Sequence, residues 1–262
     1  MSKFVDRLNR LSRGEAQAIG FTARQAALPK PKIQLIARLA AESAESLTGH
    51  IAGADAALLS ISKLATGAET LQKVSQSLPD IILGAWLKGS NNGDMKQLTK
   101  AGCDFIVFSA ADTTLTIMKN DKETGKILEV EASLSEGLLR TANELPVDAV
   151  IIAGEEKEIQ VLTWQHLMLF KRFADLLTKP LMVPVPSQVT ASELEALWEA
   201  GVTSVVIEIE AKQPEDRLMK LRQEIDKIEF LSRRSKRADA LVPRTSQPAG
   251  RRDTEEDEEE DE

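Results

Sequence analysis

Five charged residues of this sequence, Arg38, Lys88, Glu129, Glu131 and Glu208, sit at or just beyond the ends of short apolar runs. A charge at the end of a buried strand is held by a rigid element near a solvent opening, where acid–base and nucleophilic groups can work. A lysine against an apolar wall can serve as a base or a Schiff-base nucleophile. Lys88 follows Trp86 by two residues and is the candidate for that role, with Glu131 or Glu129 as its acid/base partner. Arg38, Ser62, Trp86, Ser109 and Glu208 are the candidates for holding a ligand. The opposing reading is that these charges pair with one another and fill an interior without chemistry.

Other chemistries are poorly supplied. One cysteine, Cys103, and two histidines, His50 and His166, exclude a cysteine-based metal cluster and a three-histidine zinc site, so no metal site is expected. Tyrosine is absent. The segment Lys88–Asp94 carries two glycines whose backbone N–H groups could cradle an anion. No Gly-Lys-Ser/Thr closes it as a P-loop. His166 lies in an apolar helical pattern and reads as packed or surface. His50 sits in a short loop that could reach a site. Cys103, at a strand start, reads as buried, and Trp86, Trp164 and Trp198 as core or mouth packing.

The elements that must position these groups repeat along the chain. Four segments share one form, a Gly or Pro, one residue, Asp or Thr, then an apolar run; they begin at Gly53, Gly102, Pro146 and Gly201. Four further strand candidates, Ile33–Leu39, Ile81–Leu87, Ile127–Ala132 and Leu181–Pro186, start 48, 46 and 54 residues apart. The unit is therefore about fifty residues with two strands and two helices. Helical patterns fill most gaps: Glu69–Ser77, Asp94–Lys100, Ser135–Asn143, Leu162–Leu177, Ala191–Glu199 and Pro214–Ser232. The connection Ala41–Ala52 is short for a full helix, and Thr113–Lys119 is a weak one. Ser192 with Glu195 has capping-box spacing, with Thr190 as the competing cap. Pro214 suits a first helical turn.

Strands alternating with helices predict a parallel sheet with right-handed crossovers. Eight modules favour an α/β fold closed as a (β/α)8 TIM-like barrel over residues 32–232, with an open doubly wound sheet as the rival. The Gly-x-Gly-x-x-Gly fingerprint of the latter is absent. Residues 1–31 form an N-terminal helical extension in which Phe4, Leu8 and Leu11 share one face suited to the barrel bottom. Alternation along each strand sorts the side chains. Inward fall Gln34, Ile36 and Arg38; Leu58, Ser60 and Ser62; Ile82, Gly84, Trp86 and Lys88; Phe105, Val107 and Ser109; Glu129 and Glu131; Ser204, Val206 and Glu208. The first and eighth strands are neighbours in a closed barrel, so Arg38 and Glu208 could pair.

The 262 residues are 42% apolar and 28% charged, ordinary for a globular chain. The net charge of −8 is segregated: residues 253–262 hold nine acids and no base, and residues 233–252 hold seven Lys/Arg and one acid. Residues 233–262 thus form a basic-then-acidic tail with almost nothing apolar to bury, expected to be disordered. It could serve as a contact for a protein partner. Its acids compete with phosphates for the same cations, which argues against nucleic acid. No apolar run is long enough to span a membrane, and the first residues lack a secretory core, so the expected location is the cytoplasm.

The stretch Val183–Glu210 resembles the last two modules of the phosphate-binding TIM barrels, a group of aldolases, synthases and flavin-dependent oxidases. The resemblance is one of fold-level pattern and matches no single family. It implies a phosphate site after the seventh and eighth strands, where those families carry glycines. Here the positions read Pro184-Val185-Pro186-Ser187 and Ile207-Glu208-Ile209. Proline removes a donor and glutamate repels an anion. The first reading is therefore a degenerate barrel, used for ligand binding or assembly without the standard phosphate site. The alternative is a lyase, isomerase or flavin-dependent enzyme that takes a small anionic metabolite at the mouth through Lys88 and Glu131. The sequence specifies no cofactor.

Overall fold

A computed structural model describes residues 2–13, 33–44, 46–89, 95–115, 123–153 and 159–228. Eight parallel strands close into a barrel in chain order: β1 (Gln34–Ala40), β2 (Ala56–Ile61), β3 (Ile82–Leu87), β4 (Phe105–Ser109), β5 (Gly125–Val130), β6 (Ala149–Ile152), β7 (Leu181–Pro184) and β8 (Ser204–Glu208). β1 pairs with both β2 and β8, which completes the closure. An N-terminal helix, α1 (Lys3–Arg13), precedes β1. Around the strands lie α2 (Leu64–Ser77), α3 (Met95–Lys100), α4 (Glu136–Thr141), α5 (Trp164–Leu176), α6 (Ala191–Ala200) and α7 (Arg217–Lys227). The (β/α)8 architecture is as the fifty-residue period predicts, and α1 carries the expected face of Phe4, Leu8 and Leu11.

The connection after β1 holds only a 3-10 turn, Thr48–Ile51, in place of a helix. In the β4–β5 connection Leu115 has 3-10 geometry, and most of the expected Thr113–Lys119 helix lies outside the described residues. The basic-then-acidic tail also lies outside them, as does Ser90–Asp94 of the glycine-bearing loop. β5 begins at Gly125, two residues before the predicted start. Pro214 lies ahead of α7 and offers its carbonyl to the Arg217 N–H. Thr190, not Ser192, caps α6: its hydroxyl accepts the Glu193 N–H while the Glu193 carboxylate accepts the Thr190 N–H at 2.8 Å.

The alternation of strand residues divides the core in two. Ile36, Leu58, Trp86, Phe105, Val107, Ile127, Ile151, Met182 and Val206 form one buried cluster inside the barrel. Their strand neighbours Leu35, Leu59, Leu83, Ile106, Leu128, Val183 and Val205 belong to a second, larger cluster shared with the helices. Gly84 faces inward, where a Cβ would lie 2.3 Å from the Phe105 ring. Gly84→Ala must displace that buried ring, and we expect a loss of about 2 kcal/mol in urea unfolding.

The repeated Asp has a structural task at the barrel bottom. Leu35 N–H donates to the Asp55 carboxylate and Asp55 N–H returns to the Leu35 carbonyl, each at 2.8 Å. Lys126 and Asp148 repeat the exchange at 2.8 and 2.7 Å. Thr203 sends both its N–H and its hydroxyl to the Leu181 carbonyl. Asp104 departs from this pattern. Its carboxylate accepts the Ser2 hydroxyl at 2.6 Å and the Lys3 and Phe4 N–H groups at 2.9 Å, satisfying the otherwise orphaned donors at the start of α1. Anchored there, α1 drives Phe4 and Leu8 into the interior cluster, and Phe4 stacks on Phe105 with centroids 4.2 Å apart. Leu11 instead packs with the outer core.

Candidate ligand site at the barrel mouth

At the C-terminal ends of the strands, inward side chains from opposite sides of the barrel meet. Arg38 of β1 is only 7% exposed. Its Nε–H donates to the Ser60 hydroxyl of β2 at 3.1 Å, and its guanidinium lies 4.4 Å above the Trp86 ring of β3. The Trp86 indole N–H donates to the Glu129 carboxylate of β5 at 2.8 Å. Serine, arginine, tryptophan and glutamate thus form one continuous polar chain across the mouth. Arg38 and Glu208 are level in the β1–β8 register, yet no ion pair joins them. The guanidinium turns to the β2 and β3 side, where the indole face attracts a cation. Its two terminal nitrogens have no hydrogen-bond partner among the described residues.

Burial pushes the Glu129 carboxyl above the ordinary glutamate range. The Trp86 N–H and the charges of Arg38 and Lys88 oppose the shift, and Asp112 adds to it. Relative to the unfolded chain, the native state therefore favours the protonated carboxyl. Glu129 supports folding most at pH below its unfolded value, and this support is lost as pH rises through its raised native value. Glu129→Gln keeps an acceptor for Trp86 and cannot ionise. Its stability relative to the parent should rise with pH across that window, read by urea unfolding at about pH 4 and about pH 8; a constant difference would contradict the shift.

Around this chain lies a cavity of about 930 Å³ that includes Arg38, Trp86, Lys88, Ser109, Glu129 and Glu131 in its walls. Six of the eight candidates are brought together there. Lys88 and Glu131 are exposed at its rim, so Lys88 does not stand against a dry apolar wall. Glu131 accepts the Ser133 hydroxyl at 3.0 Å. The Ser109 hydroxyl accepts the Ala111 and Asp112 N–H groups and donates to the Asp112 carboxylate, fixing the turn that carries Asp112. Ser62 is exposed and lies outside this wall. Glu208 faces a separate cleft of about 440 Å³ over β7 and β8, with Ser187, Gln188, Glu210 and Gln213. That is the usual place of a phosphate site, and among the described residues its walls hold two carboxylates and no cation.

Asp112 and the apolar part of the cavity wall were not apparent in the sequence. Asp112 lies three residues past a strand end, and only the Ser109 turn folds it back to the mouth. Of the other residues considered, Trp164 is 81% exposed rather than packed, while Trp198 is buried. His166 accepts the Thr163 N–H through Nδ1 at 3.1 Å and completes the capping box of α5. His50 is buried in the 3-10 turn, and its Nδ1 has no partner. Cys103 is buried, with its thiol 3.1 Å from the Phe105 carbonyl. Among the described residues no cluster of three or more His, Cys, Asp or Glu is placed to hold a metal ion, and no helix is long and apolar enough to cross a membrane.

A closed ring of eight parallel strands with polar groups gathered at the C-terminal mouth defines a TIM-type barrel. Solved structures share the fold. KGPDC from Streptococcus mutans matches at a TM-score of 0.58 and 15% identity, over 74% of this chain and 97% of that one. The tryptophan synthase A-subunit of Pyrococcus furiosus matches at 0.56 and 13% identity, over 75% and 97%. The thiamine phosphate pyrophosphorylase of the same organism matches at 0.53 and 12%, over 74% and 96%. The likeness to the phosphate-binding TIM barrels is one of fold. No family model and no curated protein matches the sequence.

Proposed function

We propose that this barrel is a small-molecule-binding protein whose ligand is an anion seated on Arg38, on the β1, β3 and β5 side of the mouth. The observation that carries this reading is an arginine only 7% exposed in a cavity wall, with no carboxylate paired to it and no partner for its terminal nitrogens among the described residues. A buried charge is costly unless something compensates it. The Trp86 ring and the Ser60 hydroxyl supply part of that compensation, and a bound anion would supply a partner of opposite charge. The cleft over β7 and β8 is not the anion site, because Glu208 and Glu210 repel the charge that the usual glycines would welcome.

Glu129 favours a second, catalytic reading of the same site. A carboxyl raised by burial and bonded to an indole N–H can exchange a proton with a ligand held on Arg38. In that reading Lys88 and Glu131 act at the rim. The acids and bases present suit proton-transfer steps of a lyase or isomerase. The primary reading is tested by native mass spectrometry of gently purified full-length protein beside its denatured mass, followed by thermal shift with acetate, citrate and inorganic phosphate. A retained mass lost on denaturation, or a shift with any of these anions, is the expected result. A bare mass with no shift from any anion overturns it.

A further inference from the structure

The cavity that holds Arg38 does not end at the mouth. It continues over the rim of β5, where its wall is built from outward-facing and helix-borne apolar groups: Leu128, Val130, Leu134, Leu138, Ala142 and Leu145. Leu138 and Leu145 are 59% and 43% exposed. Large apolar side chains presented together to a concave surface mark a place where apolar area is to be buried. One cavity therefore offers a charged end at Arg38 and an apolar end on α4.

The charges at the polar end narrow the kind of anion. Among the described residues of the wall two cations, Arg38 and Lys88, face three carboxyl groups, Asp112, Glu129 and Glu131. A dianion would meet this acidic surround with twice the charge of a monoanion, and one arginine fork has two parallel donors to give. A planar carboxylate matches that fork and carries one charge. We propose that the ligand is an amphipathic carboxylate, an acyl or aryl acid, with its carboxylate on Arg38 and its apolar part on the Leu134–Leu138–Leu145 wall. The proposal rests on the anion-binding reading above and specifies the substrate class for it.

The experiment is isothermal titration of the full-length protein with acetate, butyrate, hexanoate, octanoate and inorganic phosphate. Affinity should climb with chain length, octanoate binding at least about ten-fold more tightly than acetate as its chain leaves water. Arg38→Met should remove octanoate binding. Leu138→Gln, at an exposed position that the fold does not need, should reduce the octanoate-to-acetate ratio by about three-fold or more. Equal, Arg38-dependent affinity for acetate and octanoate overturns the amphipathic ligand and leaves the anion site standing. So does Arg38-dependent binding of phosphate alone. Octanoate binding that survives Arg38→Met overturns the proposal, because the chain then adsorbs elsewhere. Absence of binding by every probe overturns the proposal and the anion site together.

Discussion

Arg38→Met lowers anion affinity by about thirty-fold or more while the unliganded protein stays as stable as the parent or becomes slightly more so. The first half follows from charge-assisted hydrogen bonds, each worth about 1.5–3 kcal/mol when a buried partner is removed. The second half follows from the absence of an ion partner among the described residues. Methionine fills a similar volume beside Trp86 and carries no charge to desolvate. What is lost from the apo protein is the Ser60 hydrogen bond and the stacking on the indole, together about 1–2 kcal/mol, against the relief of a desolvated cation. The measurement is a urea titration of both proteins without ligand, beside calorimetric titration with the anion that binds the parent. An Arg38 whose only task is to fill the barrel would give the opposite pattern, a stability loss of about 2 kcal/mol or more. Stability surrendered at a site that must bind something is the usual signature of function.

Phe4→Ala destabilises the fold by about 3–5 kcal/mol, among the largest effects available from one substitution outside the strands. Phe4 is fully buried, stacks on Phe105 and belongs to the same cluster as Ile36, Val107 and Val206, so its removal leaves a void inside the barrel. The room for that stack is made by Gly84, which lets the Phe105 ring lie against β3. Asp104→Ala should cost about 2 kcal/mol by a different route, because three donors at the start of α1 lose their common acceptor. Both variants are read by urea unfolding. Unchanged midpoints would mean that α1 is an appendage and that the strands alone close the core. The site lies at the other end of the strands, so ligand affinity at a temperature where the variants are folded should be unaltered.

Much of the fold is legible in the chain because it is written as periodicity. The fifty-residue spacing, the Gly-x-Asp turns and the short apolar runs are local, and alternation within a strand is a consequence of backbone geometry. Those patterns are enough to place Ile36, Trp86, Val107 and Val206 on one face and to expect closure. They also show that the ends of β7 and β8 lack the glycines of a phosphate site. The capping of α6 is ambiguous between Thr190 and Ser192, since both have a glutamate three residues on; the geometry of the entering chain decides it for Thr190. Trp164 is exposed where packing is expected, because a helical apolar pattern does not say which flank a neighbouring helix covers.

The site itself depends on closure. Arg38, Ser60, Trp86 and Glu129 come from four different strands, and which of them touch is set by the stagger of the ring. Strand adjacency alone allows Arg38 to pair with Glu208 across β1 and β8, and the two are indeed level there. In three dimensions the indole face of Trp86 and the Ser60 hydroxyl lie on the other side of β1 and take the guanidinium instead. Likewise nothing local distinguishes Asp104 from Asp55 and Asp148; only the docking of α1 gives it a different partner. Short-range backbone rules are sufficient for the repeating unit, the barrel and the faces of its strands, and these can be read from the chain. Which inward charges meet, and which apolar groups line the cavity beside them, depend on contacts between residues far apart in the chain, and only the closed ring settles them.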